Sequence, residues 1–465
     1  MKGKIYWIIL VLAAIGVAST IIWIGGRPTS IKESEEFVTP LEKEIEVKLK
    51  MGVGYSTKID FKTAVEDAYT KMMKQLEGEK PKFIILSSSV GYDQKKLLVE
   101  VNKLLPEVKV YGYTSFIGIM ANDGFHVGEG TKEGYALGMM GFATDAMVFG
   151  VGASSLDEAA SPFEAGKIAI SRAIENAEKT GKDKPKVVLL SSAPFGMGEE
   201  FVIAGVESIV GKDVPLVGGG AAAGYSDFSG GQALFANDKV YQKGVVAVPI
   251  YTDLKIGHAI LAGCNPTEKK GTVTKFKRDA TGLYIIEIDR EPAAEVYNDW
   301  TGGAFSEFLG TSEFFLGKSV FHMLGKEIIE PGGITNWQMV VALHFNPNNS
   351  ITVGAVTEEG SKVHLLECNP DLFIQRPALA IRLARSRAEI VEAEIAGIVM
   401  DQCGATLVGI PRGVSDWNKM ISLINEAGGR TPFLGASNFG PYGYFPGAGN
   451  RYAEVTTSVL IFSKD

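Results

Sequence analysis

The sequence predicts an α/β fold made of repeated βαβ units, with mixed sheets and antiparallel portions, arranged as two pseudo-related halves and preceded by one transmembrane helix. Three observations lead to this prediction. A strand, helix and strand pattern recurs along the chain, alternating apolar and polar stretches separate the recurrences, and a long uncharged segment lies near the N-terminus. The length of 465 residues exceeds one ordinary core, so we expect about two or three folded units.

The recurring unit begins with Pro-Lys and a short apolar run that ends in Ser-Ser. Residues 81–115 and 185–222 both follow this course, cross a helix-like stretch and finish in a second short strand followed by glycine. Residues 396–441 form a weaker copy. Continuous apolar runs of this length are typical of strands buried on both faces of a sheet. Each unit therefore predicts a right-handed crossover between two parallel strands.

Helices are predicted where apolar residues return every three or four positions. In the first unit the core-facing residues are Leu97, Leu98, Val101, Leu104 and Leu105. In a later amphipathic segment they are Leu379, Ile381, Leu383 and Ile390. Between the units, alternating residues and turn signals predict antiparallel strands at 284–288, 338–345, 351–368 and 453–462.

An uncharged segment at residues 5–24 is long enough to cross the ~30 Å hydrocarbon core of a membrane as a helix. Lys2 and Lys4 precede this segment, which favours a cytoplasmic N-terminus and an extracytoplasmic globular part. We assign residues 1–24 to a cytoplasmic tip and a membrane helix, which together act as a signal anchor. The polar residues 25–45 are assigned to a linker. The alternative is a cleaved signal peptide with "GVA" at 16–18 as the cleavage site.

The composition excludes several classes of protein. An apolar fraction of 46% with 22% charged residues is typical of a folded chain, and a net charge of −8 argues against nucleic acid as a partner. The three cysteines, Cys264, Cys368 and Cys403, have no CxxC spacing. The sequence therefore predicts neither a disulfide framework nor a zinc site, and we interpret the cysteines as small buried residues.

A glycine-rich stretch, "LVGGGAAAGY" at 216–225, indicates a sharp turn or a close approach of the backbone to something else. A nucleotide-binding loop would open directly into a helix, but residues 226–231 are rich in turn-forming types. The sequence also lacks a G-x-S-x-G motif, and its five histidines have no metal-binding spacing. We therefore predict no cofactor and no metal, and favour a steric role for the glycines.

Three stretches carry a resemblance to a known family. They are "GVGYSTKIDFKTAVEDAY" at 52–69 with "VYGYTSFIGI" at 110–119, "GTVTKFKRDATGLYIIEIDREPAAEVYNDWTGG" at 271–303, and "PFLGASNFGPYGYFPGAGNRYAEVTTSVLIF" at 432–462. Together they resemble FIST domains, with an N-terminal half at 46–250 and a C-terminal half at 251–465. The resemblance implies a sensory domain that binds a small ligand, such as an amino acid or a related metabolite, in signal transduction.

The candidate ligand site lies at the carboxyl ends of the predicted parallel strands, where loops and unpaired N–H groups gather. Hydroxyl, amide and backbone groups with few charges suit binding of a small polar molecule better than catalysis. The alternative for Ser88 and Ser192 is that each caps the following helix. The predicted ligand-binding residues are Ser88, Ser89, Tyr113, Thr114, Ser115, Ser192, Gly219, Gly220, Tyr225, Cys403, Ser437 and Asn438.

The sequence thus predicts a membrane-anchored sensory protein without enzymatic activity. It would bind a small molecule and pass the signal to a partner protein or through a homodimer. Two alternatives stay open. One is an enzyme that uses Asp401 or Cys403 at a strand end, and the other is a structural surface protein that binds no small molecule.

Overall fold

A computed structural model of the protein shows a mixed α/β fold in which three sheets repeat one arrangement and a fourth sheet is inserted into the third repeat. It describes residues 47–128, 134–194, 196, 198–224, 230–279 and 282–465. The predicted membrane segment at 5–24 and the linker at 25–45 lie outside these ranges. Within them, no helix combines the length and apolar character needed to cross a bilayer.

The first repeat unit has six strands and two helices. Its elements are β1 (Leu49–Ser56), α1 (Phe61–Gln75), β2 (Phe83–Ser89), α2 (Gln94–Leu104), β3 (Lys109–Ser115), β4 (Ile119–Ala121), β5 (Gly124–His126) and β6 (Leu137–Thr144). Helices α1 and α2 begin after Asp60 and Asp93, whose carboxylates accept hydrogen bonds from backbone N–H groups of the first turn.

The second unit follows the same order. Its elements are β7 (Met147–Phe149), β8 (Gly152–Ser155), α3 (Pro162–Asn176), β9 (Val187–Ala193), α4 (Glu199–Val210), β10 (Leu216–Gly220), β11 (Leu234–Ala236), β12 (Lys239–Tyr241) and β13 (Gly244–Thr252).

The third unit begins with β14 (Ile256–Ala262) and resumes after a long insertion. Its later elements are α7 (Pro370–Ala388), a 3-10 turn (Glu392–Glu394), β23 (Ile395–Cys403), α8 (Gly404–Val408), α9 (Val414–Gly428), β24 (Phe433–Asn438), β25 (Pro441–Phe445), β26 (Gly449–Tyr452) and β27 (Thr456–Ser463). The insertion contains β15 (Cys264–Asp279), β16 (Gly282–Ile288), β17 (Glu291–Pro292), α5 (Ala293–Trp300), a 3-10 turn (Ser306–Phe308), α6 (Leu316–Ser319), β18 (His322–Ile329), β19 (Thr335–Val340), β20 (Ala342–Phe345), β21 (Ile351–Val353) and β22 (Lys362–Cys368).

Each unit is organised around one parallel pair of strands, as the sequence predicts. The pairs are β2 with β3, β9 with β10, and β23 with β24. An antiparallel strand from the end of the unit, β6, β13 or β27, lies on the other side of the first strand of each pair. Every residue of β2 and β9 is buried, which confirms the prediction of strands covered on both faces.

In each unit, the second strand of the parallel pair is followed by a short hairpin, and this hairpin joins the sheet of a different unit. Strand β4 of the first unit pairs with β24, β11 of the second pairs with β3, and β25 of the third pairs with β10. The exchange is cyclic, because each unit gives one hairpin and receives one. The three sheets are therefore tied together, and their inner faces share one apolar core.

The predicted helix faces are largely correct, with one exception. Helix α2 buries Leu97, Leu98 and Val101 against its sheet. In α7, Ile381 is buried but Leu379 is exposed, so its prediction as a core residue is wrong. The reason is that the face of α7 that packs on β14 and β27 runs through Phe373, Pro377, Ala380, Ile381 and Ala384. Leu379 points away from that face.

All three cysteines are buried, as the sequence predicts, but the expectation of no disulfide is wrong for two of them. Cys264 and Cys368 form a disulfide with a Cα to Cα distance of 4.2 Å, whereas Cys403 is a buried free thiol. The two residues are 104 positions apart in sequence but directly opposite each other on β15 and β22. They stand where the chain enters and leaves the insertion, so the bond closes the base of the inserted sheet.

We predict that the denatured protein exposes one reactive thiol without reductant and three after reduction, because only Cys403 is free. Replacing both Cys264 and Cys368 with alanine should lower the free energy of unfolding by about 2–4 kcal/mol, since the bond constrains a long loop of the unfolded chain. Thiol titration in denaturant and equilibrium unfolding measure the two effects. Cys403→Ala is the matched control and should remove the reactive thiol while leaving the disulfide. Three reactive thiols in unreduced protein would contradict the assignment.

Candidate functional site

The carboxyl ends of the three parallel pairs meet where the exchanged hairpins begin. Three backbone hydrogen bonds join the units there: Phe116 N–H donates to Ser437 O at 2.7 Å, Ala222 N–H to Thr114 O at 2.9 Å, and Phe439 N–H to Gly220 O at 3.0 Å. Register places the three donors at equivalent positions and the three acceptors at equivalent positions. We call this ring of contacts the junction.

The glycine-rich stretch at 216–225 owes its composition to the junction. A Cβ at Gly218 would overlap the carbonyl of Leu190 on the neighbouring strand, and Gly218 has a φ of 143°, which L side chains rarely adopt. A Cβ at Gly219 would overlap the side-chain amide of Asn438, and one at Gly220 would lie 2.7 Å from the Phe439 carbonyl. The group that approaches Gly219 and Gly220 is therefore the end of β24 in the third unit, together with Phe439.

Alternation along the strands divides the polar residues at the junction into two sets. Cross-strand register makes Ser87, Ser191 and Asp401 equivalent, and the apolar residues two positions before each belong to the shared core. These three side chains therefore lie on the inner faces of their sheets. Ser88 and Ser192, which follow directly, point toward the outer layer instead.

The predicted site residues of the first unit use their polar atoms inside the protein. Ser88 Oγ donates to Gln94 Oε1 at 2.7 Å, and Ser89 Oγ donates to Gly134 O at 3.0 Å. Thr114 Oγ1 donates to Ala222 O at 2.7 Å, and Ser115 Oγ donates to Gly118 O at 2.7 Å while accepting from Ser437 N–H at 2.9 Å.

Three further predicted residues differ in where they lie. Tyr113 is buried, and its ring meets that of Tyr111 edge to face. The hydroxyl of Ser192 shares a hydrogen bond of 2.5 Å with that of Tyr442. Tyr225 lies outside the described residues.

Neither serine that the sequence suggests as a helix cap has that role. The residue before α2 is Asp93 and the residue before α4 is Gly198, so the capping interpretation of Ser88 and Ser192 is wrong. Each loop between strand and helix is a few residues longer than a cap requires, and each serine hydroxyl finds a side-chain partner instead.

Polar atoms with no hydrogen-bond partner gather at the third unit. Asp401 is buried, and Asn438 Nδ2 donates to its Oδ1 at 3.1 Å. Among the described residues, Asn438 Oδ1 has no hydrogen-bond partner although it is buried, and the same holds for Ser458 Oγ, which belongs to the residue directly opposite Asp401 on β27. Ser437 Oγ is also unpartnered, but alternation places it on the outer face beside Gln402. Buried polar groups in native proteins are nearly always satisfied by protein or by ordered water, so these atoms need a partner that the described residues do not supply.

Burial raises the pKa of Asp401 to about 7, against an opposing effect of the Asn438 hydrogen bond. Asp401 therefore changes between a neutral and a charged form near physiological pH. The equivalent positions carry serines with partners: Ser87 Oγ donates to Tyr113 O at 3.0 Å, and the hydroxyls of Ser191 and Tyr111 are 2.6 Å apart. The third unit alone among the three places a carboxyl group at this position of the core.

Two further acids near the junction, one buried and one half-buried, are held by hydrogen bonds. Glu454 Oε2 accepts from Val341 N–H at 2.8 Å, and burial raises the pKa of Glu454 to about 8. Glu200 Oε1 accepts from Tyr452 N–H at 3.3 Å and from Gln338 Nε2 at 3.2 Å, and burial raises its pKa to about 7. These contacts tie the insertion and the second unit to the last hairpin, so we assign these two acids a structural role.

Cys403 ends β23 two residues after Asp401. Its thiol is buried, and burial raises its pKa, which disfavours the thiolate form.

The site that the structure brings together consists of Asp401, Asn438 and Ser458. Of these, the predicted ligand-binding set contains only Asn438. Asp401 entered the sequence analysis as a catalytic alternative, and Ser458 had no distinguishing signal because its role depends on being opposite Asp401.

The comparisons with known proteins bear on this architecture. Residues 82–291 match the FIST N domain. The matched range covers the second strand of the first unit through the second unit and into the insertion, so the FIST N domain supplies two of the three contributors to the junction.

Two solved structures of cyanuric acid hydrolase are similar to the chain. One shares 8% identity with a TM-score of 0.37 and covers 89% of this chain and 100% of its own. The other, from A. caulinodans, shares 8% identity with a TM-score of 0.35 and covers 90% of this chain and 100% of its own. A search of curated protein sequences finds no match.

The raised pKa of Asp401 predicts how stability varies with pH. Below its unfolded value of 3.8 the carboxyl is neutral in both states, and between 3.8 and about 7 the native protein binds more protons than the unfolded chain. The contribution of Asp401 to the free energy of unfolding is therefore greatest below about pH 4 and decreases as pH rises toward 7. Relative to Asp401→Asn, the wild type should lose an amount on the order of a few kcal/mol over that range.

Urea unfolding at a series of pH values measures this difference, and the comparison with Asp401→Asn removes the contributions of Glu200 and Glu454. The exposed Asp157→Asn is the matched control and should run parallel to the wild type. A constant difference between the wild type and Asp401→Asn from pH 4 to pH 7 would show that Asp401 is not a buried acid.

Proposed function

We propose that the protein is a sensory domain that binds a small ligand on the inner face of the junction, beside Asp401. The match to the FIST N domain supports a ligand-binding role in signalling. The observation that carries the proposal is the pair of unpartnered polar atoms, Asn438 Oδ1 and Ser458 Oγ, next to a buried carboxyl whose pKa is about 7.

The chemistry of these groups selects the ligand. A carboxylate, an amide oxygen and a hydroxyl oxygen are three acceptors, and a primary ammonium group offers three donors. The positive charge of an ammonium group would stabilise the ionised form of Asp401, which burial alone destabilises. The proposed ligand is therefore an amino acid or a related amine metabolite.

The exchanged hairpins offer a way to transmit binding. Asp401 and Ser458 belong to the third unit's own strands, and Asn438 packs against Gly219 of the second unit. A ligand held by these residues would favour the arrangement of units in which they are close together. We propose that this bias changes contact with a signalling partner protein or between two copies of the chain.

We further propose that residues 5–24 anchor the protein in the cell membrane as a single span, with the globular part extracytoplasmic. The disulfide between Cys264 and Cys368 supports this location, because disulfides persist in oxidising compartments. Nucleic acid is not a proposed partner, given the net charge of −8.

A role without catalysis is part of the proposal. Cys403 lies close to Asp401 in sequence, but burial raises the pKa of the Cys403 thiol, which favours its protonated form and disfavours its use as a nucleophile. A structural role without any ligand would instead require water to satisfy Asn438 and Ser458.

Thermal unfolding with the standard amino acids and their N-acetyl derivatives tests the proposal. We expect at least one free amino acid to raise the melting temperature, because a ligand that binds only the native state adds about 2.7 kcal/mol at a hundred times its dissociation constant. The N-acetyl derivative of that amino acid should have no effect, since it lacks the ammonium group.

Asp401→Asn and Ser458→Ala should each abolish the ligand-induced shift. Ser87→Ala is the matched control, because Ser87 occupies the position equivalent to Asp401 and its hydroxyl already has a partner. That variant should keep the full shift even if its own melting temperature falls. An equal shift from the N-acetyl derivative, or a shift that survives in Asp401→Asn, would refute the site, and no shift with any amino acid would favour the structural role.

A further inference from the structure

A cavity separate from the Asp401 site lies where the insertion joins the third repeat unit. It has a volume of 540 Å³, within the usual range for small-molecule sites. Its walls come from the end of β14, from β15, β18, β19 and β22, and from helix α7, and Cys264 of the disulfide forms part of one wall. The junction residues are not among those that line it.

Arg376 of α7 brings an incompletely satisfied cation to this cavity. One terminal nitrogen donates to Asn265 Oδ1, while Nε is buried without a partner. No carboxylate in the described part of the chain forms an ion pair with Arg376, and burial lowers the pKa of its guanidinium. Asn265 engages only one of the two terminal nitrogens, so the other terminal N–H groups of Arg376 can donate to a carboxylate.

His364 and Trp337 form the adjoining wall. Their rings meet edge to face with centroids 4.8 Å apart. His364 is 9% exposed, and its Nδ1 is buried without a partner. The indole of Trp337 and the imidazole of His364 supply an aromatic wall beside Arg376. A ligand with a carboxylate at one end and an apolar body would accept hydrogen bonds from Arg376 and pack its body against Trp337.

The rim of the cavity limits the charge of that ligand. Lys270 and Arg376 are opposed by Glu268 and Glu327, so the lining carries no large net charge. A balanced rim disfavours a multiply charged anion such as a phosphate, and one unpaired guanidinium matches one carboxylate. We propose that this cavity binds a small organic monocarboxylate with an aromatic or apolar body, held by Arg376 against Trp337.

Isothermal titration calorimetry of the full chain with benzoate tests the inference, and benzamide serves as the neutral analogue of the same shape. Benzoate should bind saturably, and benzamide should bind at least about tenfold more weakly, which corresponds to about 1.4 kcal/mol. Arg376→Gln should weaken benzoate binding by at least about tenfold. Arg376→Lys keeps the charge but loses the paired N–H groups, so it should be weaker than the wild type by several fold.

Arg382→Gln is the matched control on the same helix, because Arg382 faces Glu426 of α9 and does not line the cavity. Its benzoate affinity should equal that of the wild type. The proposal is overturned if the wild type gives no saturable heat with benzoate, if benzamide binds equally well, or if Arg376→Gln binds benzoate like the wild type. Equal losses in Arg382→Gln and Arg376→Gln would overturn it too, since the loss would then reflect general damage.

Discussion

The described fold depends on three backbone hydrogen bonds at the junction, from Phe116, Ala222 and Phe439 to the carbonyls of the preceding unit in the ring. A unit that lost its exchanged hairpin would expose an unpaired strand edge and a face of the shared core. Because every unit both gives and receives a hairpin, none can complete its sheet alone. The junction is therefore the place where a small change in fit affects all three sheets.

This constraint also explains why one unit carries the chemistry. Gly219 leaves space for Asn438, and Asn438 in turn donates a hydrogen bond to Asp401. The absence of a side chain at Gly219 in the second unit therefore makes room for the polar groups of the third unit. The first and second units place serines at the position of Asp401, and both serines are satisfied. A buried carboxyl costs free energy in an apolar core, and its retention beside unpartnered acceptors is the basis for assigning a ligand there.

Much of the fold could be predicted from the sequence, because a buried strand and an amphipathic helix each leave a local pattern. The parallel pairs at 81–115 and 185–222 are examples. The disulfide could not be predicted, since Cys264 and Cys368 meet only through the pairing of β15 with β22. The candidate site was predicted at the strand ends beside which the structure brings Asp401, Asn438 and Ser458 together, but Ser88 and Ser192 point outward, and Ser87, Ser191 and Asp401 point inward. Which of two adjacent residues faces the inner side of the sheet depends on the alternation of side chains along the strand. A continuous apolar run does not reveal that alternation.

Native-state hydrogen exchange at the amides of Phe116, Ala222 and Phe439 tests the central claim most directly. If the cyclic exchange makes the junction one cooperative unit, all three amides should exchange only through global unfolding, with the same opening free energy as the whole domain. Exchange of one of them at a clearly lower free energy, while the other two stay protected, would contradict the claim and show that the units open independently.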